Sequence, residues 1–271
     1  IMDNGEIKFE LSHNVATLTL SRPKRRNALS LDLWREMAKV CDKIAKSDAK
    51  VAIIRGAGGN FCSGMDLNPD NSAIAQLLPA ISNGDREVAE ELIQELKGSI
   101  DCIANLSIPT IACVEGFAVG GGLEVALACD IMVVEESASL SLPEVRIGMT
   151  PDLGGVARLT RAVGAGRAAD LILTGRRFTG TEAQQMGISQ HSTPAGGAYN
   201  KSLELADMIK LGAPIAVGSA LKAIRKIPDL NLRDSLREDT SAGVEALTSG
   251  EAKEGIMSFV EKRSPAWQED N

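Results

Sequence analysis

A recurring order of short apolar strand, glycine-bearing loop and helix constrains this chain more than any other feature. Val51–Arg55 reads as a buried strand that runs into Gly56–Asn60 and then Phe61-Cys62-Ser63-Gly64-Met65-Asp66-Leu67. Thr110–Glu115 is a second such strand, and Gly116-Phe117-Ala118-Val119-Gly120-Gly121-Gly122 leads from it into an apolar helix, Leu123–Cys129. A strand at Ile131–Glu135 and a short one at Ser139–Leu142 come before a third glycine-bearing loop, Pro143–Gly155. Strands that alternate with helices are joined by crossovers, which lay neighbouring strands parallel, so the fold class is α/β. Ahead of these units, Ile7–Leu11 and Val15–Leu20 flank the polar turn Ser12-His13-Asn14 as two strands. Leu31 to about Lys46 carries Leu33, Met37, Val40, Cys41 and Ile44 on one helical face, and Ser30 or Asp32 suits its N-terminus. A polar stretch with Asn-Pro-Asp follows Asp66, then helical patterning to about Leu106. From Asp170 the pattern is mostly helical, and Gly196-Gly197 marks a seam between a core region, 1–197, and a C-terminal helical region, 198–271.

With 271 residues, 44% of them hydrophobic, the chain can bury a large core without disulfides or a structural metal. Its most apolar stretches are interrupted by Glu115, Glu124 and Asp130, so no segment reads as a membrane span. A formal net charge of -7 argues against binding nucleic acid through its phosphates. The five cysteines, Cys41, Cys62, Cys102, Cys113 and Cys129, are scattered, form no CxxC pair, and suit a reducing, cytoplasmic setting. The acidic start, Ile1-Met2-Asp3-Asn4-Gly5-Glu6, does not read as a signal peptide. Only His13 and His191 are present, both in polar loops, which leaves a Ser-His-Asp triad or a histidine metal site without residues to build it. A glycine loop followed by Lys-Ser/Thr is also missing, so there is no P-loop. Proton chemistry falls to carboxylates and backbone dipoles.

Gly120-Gly121-Gly122 carries the strongest chemical signal. Three glycines let the backbone pass close to a ligand, and the first-turn amides of the following helix lack internal partners and can stabilise an anion. The plain alternative is a tight turn that needs glycine for packing. Glu124 weighs against it, because a carboxylate beside Val125-Ala126-Leu127-Ala128-Cys129 is either paired or functional. Three loops of related design point to one site built between strand ends.

Three stretches then carry a resemblance: FCSGMDL (61–67), PTIACVEGFAVGGGLEVALACDI (109–131) and SLPEVRIGMTPDLGG (141–155). They resemble the crotonase, or enoyl-CoA hydratase/isomerase, superfamily. The likeness continues through RLTRAVGAGRAADLILTGRRFTGTEAQQMGI (158–188) to FVEKR (259–263), and residues 68–106 match least. It implies a spiral of repeated ββα units with a C-terminal helical region, and self-association as a homotrimer or a pair of trimers. It also implies a coenzyme A thioester as substrate, with no separate cofactor and no metal.

The resemblance places the oxyanion-hole amides at Met65 and Gly121. It places the two hydratase glutamates at Glu124, the base that activates water, and Glu144, twenty residues later, the proton donor to the α-carbon. Two nearby carboxylates in a partly dry cleft repel, so one keeps a proton near neutral pH and the pair supplies both acid and base. Substrate contacts are implied for the two glycine loops, at Cys62, Ser63, Gly64, Asp66, Leu67 and Gly120. The cationic loop Arg22, Lys24, Arg25 and Arg26 suits the CoA phosphates, with a solvated charged loop as the alternative. Phe259 and Lys262 match positions at the nucleotide end of CoA, and an amphipathic terminal helix is the alternative there. Asp152 departs from the hydratase pattern, which commonly has a small residue at this position. It resembles the dienoyl-CoA isomerases instead, and is expected either to move a proton between substrate carbons or to cap the helix near Gly154. The functional expectation is an enoyl-CoA hydratase, against a double-bond isomerase that uses Glu144 and Asp152. The remaining alternative is a catalytically silent protein that binds CoA esters or serves in assembly.

Overall fold

In the computed structural model, which describes residues 5–268, β1 (Glu6–Ser12) and β2 (Val15–Ser21) form an antiparallel hairpin. Residues 1–4, at the acidic start, and 269–271, at the end of the C-terminal region, lie outside the described residues. His13 and Asn14 turn the hairpin with φ of 46° and 57°. That pair of left-handed residues matches the twist of the strands they join. β3 (Val51–Gly56), β4 (Thr110–Val114), β6 (Ile131–Glu135) and β9 (His191–Thr193) then add in parallel, so the large sheet runs β1-β2-β3-β4-β6-β9. Each added strand lies beside the one before it, so the chain always winds the same way, as the implied spiral requires.

The crossovers carry the remaining elements. α1 (Leu31–Ala45) joins β2 to β3, and α2 (Ser72–Asn83) and α3 (Arg86–Ala104) join β3 to β4. β5 (Phe117–Val119) and α4 (Gly121–Leu127) lie between β4 and β6. The last crossover holds β7 (Ser139–Ser141), α5 (Gly155–Val163), α6 (Ala165–Thr174), β8 (Phe178–Thr179) and α7 (Gly180–Met186). β5, β7 and β8 make a small second sheet beside the first. Ser30, not Asp32, caps α1, accepting from the Leu33 amide. α4 starts at Gly121, ahead of the expected Leu123, so the glycines belong to its first turn. Helix resumes at Gly155, before the expected Asp170, because the glycines there hide a start that propensity alone would place later.

Both faces of the sheet are buried along its central strands β2, β3, β4 and β6, as parallel strands require, while the edge strand β1 is largely exposed. On one face Leu18, Ile54, Ala112 and Val134 pack with Trp34 and Met37 of α1. On the other, Val15, Ile53, Ile111 and Val133 pack with Ala198 and Ala206 of α8 (Ala198–Lys210). After α8 come α9 (Pro214–Lys226), α10 (Leu232–Thr248) and α11 (Glu251–Glu261). Among the described residues no helix is long and apolar enough to cross a membrane.

One clamp ties α9 to the core. Arg225 donates through Nε and Nη2 to the two Asp130 carboxylate oxygens, each at 2.7 Å, and through Nη1 to the Leu106 carbonyl at 2.6 Å. Asp130 also accepts from the Thr110 amide and hydroxyl at the head of β4. Charged hydrogen bonds of this kind contribute about 1.5–3 kcal/mol. Arg225→Ala is expected to lower the thermal midpoint by several degrees and to expose α9–α11 first, which limited proteolysis of the variant will read.

Candidate active site

The first glycine loop and the Gly120–Gly122 turn meet backbone to backbone. Gly64 has φ +88°, and a Cβ there would stand 2.7 Å from the Val119 carbonyl and 3.1 Å from the Gly121 nitrogen. A Cβ on Gly122 would fall 2.2 Å from the Cys62 carbonyl. The Cys62 amide donates to Phe117 O, and the Val119 amide to Cys62 O. Beside this seam, the Leu29 amide donates to Gly64 O, and the Asp66 amide to Leu29 O. Neither pairing uses the Met65 amide, and Gly121 is the first residue of α4, whose amide has no intrahelical acceptor. Two adjacent donors are thus left over, with the Trp34 ring packed behind Gly121.

Glu124 lies one turn into α4 and is only 2% exposed. Its Oε1 accepts from the Gly155 amide at 2.8 Å, and the Leu153 amide also holds the carboxylate. Burial pushes its pKa up to about 8; the two amides oppose this, while the charges of Glu144 and Asp152 add to it. Glu144 stands in a short 3-10 turn, Glu144–Ile147, that follows β7. Its Oε1 lies 2.9 Å from where a Gly120 Cβ would be, and Gly120 itself has φ +55°, so glycine is needed twice over. Glu144 Oε2 is buried without a hydrogen-bond partner. Burial raises its pKa, its own amide opposes, and Asp152 adds to the rise.

Asp152 does not cap a helix. The N-cap of α5 is Gly154, with φ 113° and no side-chain hydrogen bond, so the capping expectation fails and the carboxyl is left to the site. The residue is exposed at its outer edge. The protein around its carboxyl raises its pKa against its own amide. The structure therefore brings together three carboxyl groups, all held above their ordinary range, beside two unused amides.

Other expected contacts have a different place. The Cys62 thiol is buried, donates to Asn27 O at 3.1 Å and accepts from the Gly64 amide, and burial pushes it up to about 12. Its side chain and its backbone both brace the loop. Arg22 Nη1 pairs with Asp66 Oδ2 at 2.6 Å and also donates to Ala28 O, with both side chains largely buried. Against burial, the Arg22 guanidinium and the Asn68 amide hold Asp66 below the usual carboxylate range. This pair locks the basic loop to the first glycine loop. Ser63 Oγ donates to Arg25 O, and Leu67, Lys24 and Arg25 are exposed. Arg26 lies over the Phe117 ring at 4.5 Å. Phe259 is 86% exposed on α11, and Lys262 ends that helix in a left-handed conformation. Neither is brought to the glycine loops within one chain.

Sequence reasoning missed two holders of the site. One is the Gly155 amide; the double glycine at a helix start was its only local signal. The other is Asn27, left-handed and fully buried, whose Nδ2 donates to the carbonyls of Ala57, Asn60 and Phe61 while Oδ1 accepts from the Arg22 amide. An asparagine in a charged loop, tolerant of positive φ, was its signal.

Residues 10–270 match the family described as enoyl-CoA hydratase/isomerase. The chain is 39% identical over 253 residues to enoyl-CoA hydratase EchA19 of Mycobacterium tuberculosis, covering 93% of this chain and 92% of that one. It is 33% identical to human mitochondrial methylglutaconyl-CoA hydratase, over 96% of this chain and 75% of the other. The crystal structure of an enoyl-CoA hydratase from Bacillus anthracis superposes with a TM-score of 0.84 at 32% identity, covering 97% and 98% of the two chains. One from Polaromonas sp. JS666 gives 0.86 at 30% identity, with 96% and 99% covered. With fold, loops and relatives in agreement over nearly the whole length, the chain belongs to the enoyl-CoA hydratase/isomerase family.

Proposed function

We propose that this protein adds water across the 2,3 double bond of an enoyl-CoA thioester. The observation that carries the reading is the placement of two glutamates, Glu124 buried and Glu144 half-buried, around one pair of unused amides. Glu144 reaches Gly120, next to the Gly121 amide, and Glu124 lies within electrostatic range of Glu144. A thioester oxygen between the Met65 and Gly121 amides gains charge as water adds at the β-carbon. Preorganised donors of this type typically contribute about 10²–10³ in rate. Glu124 takes the proton from water, and Glu144 delivers one to the α-carbon beside the thioester. Burial raises both carboxyls, and Glu124, pushed up to about 8, titrates close enough to neutrality to act as acid and as base.

Lys24 and Arg25, exposed on a protein of formal net charge -7, suit the CoA phosphates. Exposed apolar side chains on the last two helices, including Leu236, Leu247, Ile256, Phe259 and Val260, support self-association as a homotrimer or a pair of trimers. In such an assembly a neighbour's Phe259 and Lys262 would reach the nucleotide end of CoA.

A second reading, double-bond isomerisation, is favoured by one observation: Asp152 is free of the helix and faces the same pair of glutamates. Asp152→Asn separates the two. Under hydration the variant keeps most of the wild-type rate on crotonyl-CoA, followed by loss of the conjugated enoyl absorbance, with 3-hydroxyacyl-CoA as product by mass. Under isomerisation it falls as far as Glu144→Gln on a 3,5-dienoyl thioester, and the wild type shifts a double bond without gaining water. Wild-type protein that turns over neither substrate would return the site to ligand binding alone.

A further inference from the structure

We propose that Arg158, anchored by Asp101, is a positioning residue for Glu124, acting through the loop that holds the carboxylate. The inference rests on the reading of Glu124 as the base that activates water. Arg158 lies on α5, and Asp101 on α3. Arg158 Nη2 donates to Asp101 Oδ1 at 2.9 Å, and Nη1 donates to the Leu153 carbonyl at 3.1 Å. Lys97, one turn before Asp101, holds the other Asp101 oxygen at 3.1 Å. The guanidinium thus spans two elements: one nitrogen is fixed to α3, and the other pins the peptide of Leu153.

That peptide matters because of what surrounds it. Leu153 and Gly155 supply the two amides that hold Glu124, and between them Gly154 has φ 113°. Its carbonyl accepts from the Arg158 amide at 2.9 Å, so Arg158 meets this loop through its backbone as well as its side chain. A Cβ on Gly154 would stand 2.1 Å from Arg158 Nη1, so the guanidinium lies directly against the backbone it restrains. A Cβ on Gly155 would stand 2.8 Å from Glu124 Oε1, so the loop and the carboxylate have no slack between them. A small shift of the loop therefore becomes a shift of Glu124. Lysine cannot replace this geometry, since a single ammonium lacks the rigid fork that reaches Asp101 and Leu153 together. The carboxyls that face Glu124 are Glu144 and Asp152, and neither touches Arg158, so a change at Arg158 reaches Glu124 through the loop.

The experiment compares wild type, Arg158→Lys, Asp101→Asn and Arg158→Ala. Arg158→Lys keeps a cation beside Asp101, so the test stands even where Arg158→Ala fails to fold. Two readouts are taken: kcat and KM for crotonyl-CoA across pH 5–9, and the carboxyl 13C titration of Glu124, assigned by its disappearance in Glu124→Gln. The expected result is a loss of about 10²-fold in kcat for Arg158→Lys, with KM within threefold. The Glu124 titration moves to higher pH in the same variant, because the amides that favour its charged form are released while burial remains. Asp101→Asn moves both readouts in the same direction by less. An unmoved Glu124 titration in a folded Arg158→Lys protein overturns the proposal. The 13C titration stands apart from turnover. A wild type without hydratase activity whose Glu124 titration still responds to Arg158→Lys would refute the hydratase reading and leave the positioning intact.

Discussion

Glu124→Gln is expected to lower hydration of an enoyl-CoA thioester by about 10²–10⁴-fold while making the protein more stable at pH 8. The activity loss is that of a positioned base. Glutamine keeps the shape, and its carbonyl oxygen can still accept from the Gly155 amide, so the site stays assembled. The stability gain follows from the raised pKa. In the folded protein Glu124 titrates near about 8, against an ordinary value of 4.5 when the chain is unfolded. Between those values the folded state holds a proton that the unfolded state has lost. Its contribution to stability is therefore fully present below 4.5 and is lost as pH rises to about 8. Glutamine never ionises and escapes that loss. Thermal midpoints of the two proteins should nearly coincide at pH 4.5 and separate at pH 8, with the variant higher. Equal midpoints at both pH values would show that Glu124 is not buried as a charge. Hydration within threefold of wild type would remove it from the chemistry.

What the sequence shows well is local: a strand or helix whose apolar spacing repeats within one element. Val51–Gly56, Ile131–Glu135 and α1 fall close to where periodicity places them, because each packs through a face that its own residues define. Glu124 stands out for the same reason, as a charge in an apolar run. The rest depends on contacts between distant positions. Gly155 holds Glu124 across 31 residues, and Arg225 holds Asp130 across 95. The acidic end of each bond stands out in its own neighbourhood, but nothing there names the distant partner. Asp152 looked like a cap because aspartate two residues ahead of a helix is a common local pattern. The left-handed Gly154 takes that position instead, which only the course of the loop could reveal. Cys62 and Arg22 lie inside motifs associated with ligand contacts, yet their side chains turn inward. The motif marks the loop, and packing decides which of its atoms face the cleft.

The oxyanion hole yields the cleanest separation of backbone from side chain. Met65→Pro is expected to reduce hydration by about 10²–10³-fold, whereas Met65→Ala stays within threefold of wild type. Both substitutions remove the methionine side chain, but only proline removes the amide hydrogen. The fold makes no use of that hydrogen: the neighbouring bonds run from Leu29 to Gly64 O and from Asp66 to Leu29 O, and Met65 donates in neither. Proline therefore deletes a donor that substrate alone would need. Gly121→Pro is less informative. Proline is tolerated at a helix start, but a Cβ at Gly121 stands 3.3 Å from the Trp34 ring, so packing would change as well. The check is kcat/KM on crotonyl-CoA for both Met65 variants, alongside their thermal midpoints. A folded Met65→Pro protein with undiminished turnover would show that the thioester oxygen takes its charge stabilisation elsewhere. A loss shared equally by Met65→Ala would assign the effect to the side chain. A loss confined to proline requires that the charge forming in the transition state lie against the Met65 amide, as addition of water to a conjugated thioester demands.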